Sequence, residues 1–344
     1  MDDGGAILRE ALSWVRSGRK AALATVVSTW GSSPRATGSR LAVDESGHMI
    51  GSVSGGCVEG EVLANAEDVM RTGRPALLEF GVSDGKAWSV GLACGGRISV
   101  LVEKLHDGPD VQRIAERFDH GETTAALVDL TSGERIPIEE DGLADVRFDE
   151  AGRRALATAV ARGAETLVES GREKFYLEFW RPPLRLIVVG AVHIAQALAP
   201  IAAAAGYWIV VVDPRPAFAT PQRFPGVELH ARWPEEFFAG INLDSRSALV
   251  ALTHEPGIDD AALIAALRSP AFYIGALGSR GSAEKRRARL RAKGFSESDL
   301  ARIHGPVGLS IGAASPPEIA IAIAAEMTAV LRREHRPALG SAAE

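Results

Sequence analysis

The sequence predicts an α/β protein of two domains: an amino-terminal α+β domain, then a doubly wound domain built on a parallel sheet. Three observations predict it. The chain has 344 residues, too many for one small domain and enough for two or three. Its second half carries short continuous apolar runs alternating with helical patterns, as parallel strands joined by crossover helices do. Its first half mixes helices with strands that read as hairpins. "RPP" at Arg181–Pro183 reads as the linker, giving domains over 1–181 and 184–335 and a tail over 336–344.

In the first half, "AILREALSWVRSG" spaces Ile7, Leu8, Leu12, Trp14 and Val15 as a helix does, and Gly18 ends the pattern. "KAALATVVST" reads as a buried strand. "WGSSPRATGSR" is a loop by composition. "LAVDESGHMIGSVSGG" reads as a hairpin turning near Ser46 and Gly47. "CVEGEVLANAEDVMRTG" returns to helical spacing and stops at Gly73. "PALLEFGV" and "RISVLVEKL" are further strands. From 105 to 181 the pattern is weaker and acidic around Glu139 to Asp141.

In the second half, "LRLIVVGA", "YWIVVVDPR", "SALVALTH" and "AFYIGALGS" read as parallel strands. "VHIAQALAPIAAAAG" and "IDDAALIAALRS" are helices between them. Ser315 and Glu318 form a capping box with Pro316 at the first helical position. The glycines at 305, 308 and 312 ahead of that helix suit either structure or a pocket.

The composition excludes several classes. A formal net charge of −6 argues against a general nucleic-acid binder. No apolar run reaches the roughly 18 residues of a membrane span. "MDDGGAILREALSW" lacks the cationic region of a signal peptide. Two cysteines are too few for a disulfide framework or a closed cysteine-only zinc site, so a reducing cytoplasm with free thiols is expected. Metal-ligand, phosphate-loop and serine-hydrolase motifs are absent from the sequence.

Both thiols lie among glycines, Cys57 in "GSVSGGCVEG" and Cys94 in "LACGG". Cys57 stands where loop becomes helix. There the positive end of the helix dipole favours thiolate, while Ser54, Gly55 and Gly56 leave room for a large group. Thiolate chemistry includes attack on a carbonyl, persulfide carriage and binding of a soft metal. Glu59 reads either as a neighbouring base or as a helix-dipole partner. Cys94 reads as a site residue or a buried small side chain. Ser32, Ser33 and Arg35, one hairpin away, could offer hydroxyls and a guanidinium to an anion.

The first turn of the parallel domain is "GAVHIA", with Gly190 and His193 but Val192 where a dinucleotide fingerprint needs its second glycine. Asp213 ends the next strand, where a ribose-binding acid lies in such folds. His254 follows a third strand end. Gly278, Ser279, Arg280 and Ser282 follow a fourth and open a helix, a natural oxyanion or phosphate position. The basic run 285–293 reads as a solvated helix face. An NAD(P)-dependent oxidoreductase and a thiol-based sulfur carrier using Cys57, with Cys94 as partner, are therefore alternatives.

Six segments together resemble the XdhC/CoxI family: "ATVVSTWGSSPRATGSRLAV", "GSVSGGCVEGEV", "GLACGGRISVLVE", "LTHEPGIDDAALIAAL", "YIGALGSRGSAEKRRARL" and "ARIHGPVGLSIGAASPPEIAIAIAAE". They fall in order across about 20–104 and 184–330. The resemblance implies an α+β family domain followed by a Rossmann-like one. It implies binding of the molybdenum cofactor, protection of its sulfido form and delivery to an apo molybdenum hydroxylase of the xanthine or carbon monoxide dehydrogenase class. It further implies contact with a cysteine desulfurase, a homodimer, and no catalytic turnover. Cys57 then suits the metal or a carried sulfur, and the loops around Arg35 and Arg280 suit phosphate and pterin. Val192 departs from the Gly-Ala-Gly-His of many members and puts a nucleotide there in doubt.

Overall fold

The computed structural model describes residues 4–31, 33, 35–81, 96–138 and 148–333. The chain divides into two compact units between Pro182 and Pro183.

The first unit begins with α1 (Gly4–Arg16), β1 (Ala21–Trp30), β2 (Arg40–Asp44), β3 (Met49–Gly51), α2 (Glu59–Thr72), β4 (Ala76–Phe80) and β5 (Arg97–Leu105). Its strands form an antiparallel sheet in the order β3-β2-β1-β5-β4. Strand β1 is buried on both faces, which its period-two alternation allows. Ala22, Ala24 and Val26 join Val62, Ala66 and Val69 of α2. Ala21 and Leu23 join Leu8, Leu12 and Trp14 of α1. Helix α2 stops at Gly73, whose φ of 74° lets its amide reach Val69 O at 2.8 Å.

The unit continues with α3 (Pro109–Asp119), β6 (Thr124–Asp129), β7 (Arg135–Ile138), α4 (Glu150–Arg162), β8 (Thr166–Ser170) and β9 (Glu173–Trp180). These strands form a second antiparallel sheet, β7-β6-β9-β8. The sequence shows this sheet weakly because charges interrupt its apolar runs. Arg135 is buried in an ion-pair network, bonding Glu178 at 2.8 Å and Glu103 of β5. The guanidinium of Arg40 lies 3.8 Å from the ring centre of Trp180. Buried charges held this way demand partners and mask the hydrophobic pattern.

The second unit comprises β10 (Leu184–Val189), α5 (His193–Ala204), β11 (Tyr207–Val212), β12 (Glu228–His230), α6 (Pro234–Phe238), β13 (Ser247–Ala251), α7 (Pro256–Leu267), β14 (Tyr273–Ala276), α8 (Arg280–Ala292), α9 (Glu297–Leu300), β15 (Ile303–His304) and α10 (Pro316–Arg333). All its strands are parallel, in the order β12-β11-β10-β13-β14-β15. Renumbered from the first strand of the unit, that order is the 3-2-1-4-5-6 of a doubly wound fold. Leu186 and Val188 cluster with Leu198 of α5 and Ile323 of α10. Ile187 and Val189 cluster with Ile258 and Leu263 of α7 on the opposite face. Helices thus cover both faces, as buried continuous strands require. Among the described residues no helix is long and apolar enough to cross a membrane.

Candidate functional site

In the first unit, the chain leaves β3 at Gly51 and enters α2 at Glu59 through one tight loop. Val53 and Val58 pin the ends of this loop in the core beside α2. Glu59 turns its carboxylate back into it. Oε1 accepts the Ser52 hydroxyl at 2.8 Å and the amides of Val53, Ser54 and Gly55 at 3.3, 2.9 and 3.1 Å. Oε2 accepts the Ser54 hydroxyl and the amides of Gly56 and Val58 at 2.9 and 3.3 Å. Ser54 Oγ in turn accepts the amides of Cys57 and Val58, both at 3.0 Å.

Burial alone would push the Glu59 carboxyl up. The hydroxyls of Ser54 and Ser52 and the loop amides outweigh it and bring the pKa to about 2. The sequence leaves Glu59 as a neighbouring base or a helix-dipole partner. The hydrogen bonds spend its carboxylate on the loop, so it stays ionised and holds the backbone near Cys57.

Gly55, Gly56 and Cys57 form the exposed tip. The glycines have φ of 82° and 119°, and a side chain at either would meet nothing within 4 Å. The bare backbone is therefore conformational in origin, and the space over it is open. Cys57 is a free, exposed thiol. A single soft donor in open space fits a metal that brings its own ligands. Among the described residues no cluster of three or more His, Cys, Asp or Glu side chains could hold a bare metal ion.

The loop between β1 and β2 leaves the sheet at the same end as the Cys57 loop, since β2 runs antiparallel to both neighbours. Ser33 donates its hydroxyl to Arg35 O at 2.7 Å, and both residues are half-buried. Trp30 precedes them, 69% exposed, with the Arg97 guanidinium 5.6 Å from its ring centre. Ser32 and Cys94 lie outside the described residues.

In the second unit, Gly190, Asp213, His254 and the 278–282 segment all fall at the carboxyl ends of the parallel strands. Gly190 has φ of 106°, and a side chain there would strike Thr253 Cγ2 at 2.6 Å. The first turn and the His254 loop therefore touch. Asp213 is fully buried. Its Oδ1 accepts Arg215 N and Nε at 2.9 and 2.8 Å, and its Oδ2 accepts Ala191 N and Arg215 Nη2 at 2.8 and 2.7 Å. An acid so engaged holds the turn closed, which leaves the ribose contact of the dinucleotide alternative without an acceptor. Val192 caps α5 with no side-chain hydrogen bond, and His193 is exposed.

His254 is the one non-glycine with positive φ among the described residues, at 64°. Asp259, buried in the first turns of α7, accepts Thr253 Oγ1 at 2.6 Å and His254 N at 3.0 Å. Ser279 caps α8 by accepting Ser282 N at 3.2 Å, its Oγ 3.1 Å from Ser282 Oγ. Arg280 is exposed beside them.

The sequence reading misses one residue here. Arg286 falls in the run read as a solvated face, yet it is 5% exposed. Its spacing four residues before buried Leu290 is the available signal. The rest of that face is polar as expected, with Arg289 paired to Asp260 at 2.6 Å.

Residues 186–327 match the family described as the XdhC Rossmann domain, and residues 14–81 match the XdhC and CoxI family. Over 330 residues the chain is 29% identical to the Escherichia coli (strain K12) protein named molybdenum cofactor insertion chaperone PaoD, spanning 96% of this chain and 89% of that one. Over 323 residues it is 27% identical to a Bacillus subtilis (strain 168) protein named as a probable subunit of xanthine dehydrogenase, spanning 91% and 94%. A crystal structure described as a xanthine dehydrogenase from Bacillus halodurans shares the fold with a TM-score of 0.75 at 25% identity, over 99% of this chain and 98% of that one.

Proposed function

We propose, on the premise that this chain belongs to the XdhC and CoxI family, that it binds the molybdenum cofactor and hands it to an apo molybdenum hydroxylase. The observation that carries the proposal is the exposed Cys57 on a loop braced by Glu59 and open above Gly55 and Gly56. The nearly full-length likeness to a protein named as a molybdenum cofactor insertion chaperone supports it.

In this reading the cofactor is cargo. It supplies a soft metal carrying its own dithiolene sulfurs and a terminal ligand that must be kept from water. Cys57 meets the metal or holds sulfur destined for it. Glu59 and Ser54 keep the thiol presented. A cysteine desulfurase as sulfur source, an enzyme client of the xanthine or carbon monoxide dehydrogenase class, and a homodimeric assembly belong to the same proposal. No chemical turnover is required of the chain.

The test uses protein purified from a host that makes the cofactor. Metal content and oxidised-pterin fluorescence are measured side by side for wild type and Cys57→Ala. Molybdenum and pterin together in the wild type, and lost in the variant, are expected. Equal loading in both removes Cys57 from binding, and no loading in either overturns the carrier function.

A further inference from the structure

Helices α5, α7 and α8 each begin just after a strand at the carboxyl end of the sheet, and the start of α7 is taken by buried Asp259, which leaves α5 and α8 to hold an anion. The first, at α5, is where dinucleotide phosphates lie in this fold class. Here that turn is closed by Asp213, which takes the Ala191 amide and is itself paired with Arg215, so that amide is not free for a phosphate. The second, at α8, is built in the opposite sense.

Arg286 projects back toward the start of its own helix, as long helical side chains do. Its Nη2 donates to Leu277 O at 2.7 Å, directly beneath the turn into α8. Its Nε and Nη1 are buried and have no hydrogen-bond partner among the described residues. Asp259 and Asp260 act on Arg286 through their charge, but their hydrogen bonds run to Thr253, His254 and Arg289 and not to its Nε or Nη1. A buried guanidinium with two unbonded donors is costly unless an anion completes it.

Two glycines pack close to that guanidinium. Side chains at Gly278 and Gly305 would stand 3.6 and 3.7 Å from the guanidinium nitrogens, so the backbone of both glycines lies close against it. Gly278 has φ of 143°, where glycine is favoured. Above lie the opening amides of α8, at Arg280 and Gly281, which have no intrahelical acceptor, and the hydroxyls of Ser279 and Ser282.

We infer that the second unit holds a phosphate group at the β14–α8 turn, between the opening amides of α8, Ser279, Ser282 and the guanidinium of Arg286. The anion site of this doubly wound unit has thus moved from its first crossover to the one after β14. Arg286 supplies the charge beneath the turn, and the amides and hydroxyls of the α8 start supply the donors above it. The phosphate of a pterin cofactor or of a nucleotide offers the same chemistry. The inference stands on this unit alone and does not need Cys57.

The test titrates the full chain with inorganic phosphate by calorimetry at low ionic strength, for wild type, Arg286→Met and Ser282→Glu. Saturable binding near one phosphate per chain is expected in the wild type. Arg286→Met weakens it by roughly tenfold or more, the scale of a lost charge-assisted hydrogen bond. Ser282→Glu abolishes it by like-charge repulsion. Position 282 is exposed and in a first helical turn, so this variant folds and decides the matter if Arg286→Met does not. Adenosine monophosphate and a pterin phosphate monoester both compete with phosphate, and their relative affinity identifies the source. Equal competition by adenosine, unaltered binding in both variants, or no saturable binding in the wild type overturns the inference. A chain that binds phosphate but never loads cofactor counts against the proposed function alone.

Discussion

Ser54 and Glu59 share two hydrogen bonds, through the serine amide and its hydroxyl, and they close the loop that carries Cys57. Ser54 donates to the carboxylate while accepting the amides of Cys57 and Val58. One side chain thus links the acid to the backbone of the thiol. Glu59→Gln keeps the shape but removes the charge and half of the acceptor capacity. It is expected to cost on the order of 2–3 kcal/mol, read as a lower urea midpoint at unchanged slope. An unchanged midpoint would mean the carboxylate does not brace the loop.

The same carboxylate sets a pH window. Its folded pKa of about 2 lies below the ordinary 4.5, so its contribution is complete above 4.5. It is lost as pH falls from there toward 2. Wild type and Glu59→Gln are expected to differ most in stability near neutrality and to converge toward pH 2. A gap that is constant from pH 7 to pH 2 contradicts the assignment.

Cys57 contributes little to the fold. It is exposed at a tip with open space above the neighbouring glycines. Cys57→Ala is expected to stay within about 0.5 kcal/mol of the wild type in thermal unfolding. Loss of cofactor loading in that variant then reports on binding rather than on folding.

Gly190→Ala tests the closed turn. The substitution meets both a positive φ and Thr253 Cγ2 at 2.6 Å. A loss of roughly 1–3 kcal/mol is expected by chemical denaturation. A neutral result would show that the turn and the Thr253 loop are not in contact.

His254 sits at φ 64° without being glycine. His254→Val is expected to lower stability by about 1–2 kcal/mol, because a branched side chain tolerates that region poorly. His254→Gly is expected to match or slightly exceed the wild type. Equal melting temperatures for the two variants would place the backbone elsewhere.

Much of this architecture was legible in the residues, for physical reasons that differ between the units. The parallel strands announce themselves because both of their faces are buried, which forces runs such as "LRLIVV" and "YWIVVV". Helix ends were legible where one residue does the work, as at Gly73. At α10, Glu318 accepts the amides of Ala314 and Ser315, as the capping pattern suggests. Strands β6 to β9 were hidden because Arg135 and Glu178 find partners only in three dimensions. The two-residue β15 is too short to carry any period. At the candidate sites, the exposed thiol and its glycines could be read directly. The bracing by Glu59 could not, since nothing in a sequence says where a carboxylate turns. Arg286 was concealed by its exposed basic neighbours.

The pairing of buried Asp213 with half-exposed Arg215 has a consequence for how this chain can change. Val192→Gly alone would leave the first turn closed by the acid and its arginine. Arg215→Ala alone would free acceptors on Asp213 but leave a valine, packed against the core, where a dinucleotide turn uses its second glycine. Only both together would give this turn the second glycine and the free acid that a dinucleotide turn uses, so the two substitutions should show strong positive epistasis. A scan of single mutants would find that turn inert, and random one-step variation would rarely reach a dinucleotide-binding turn from this one.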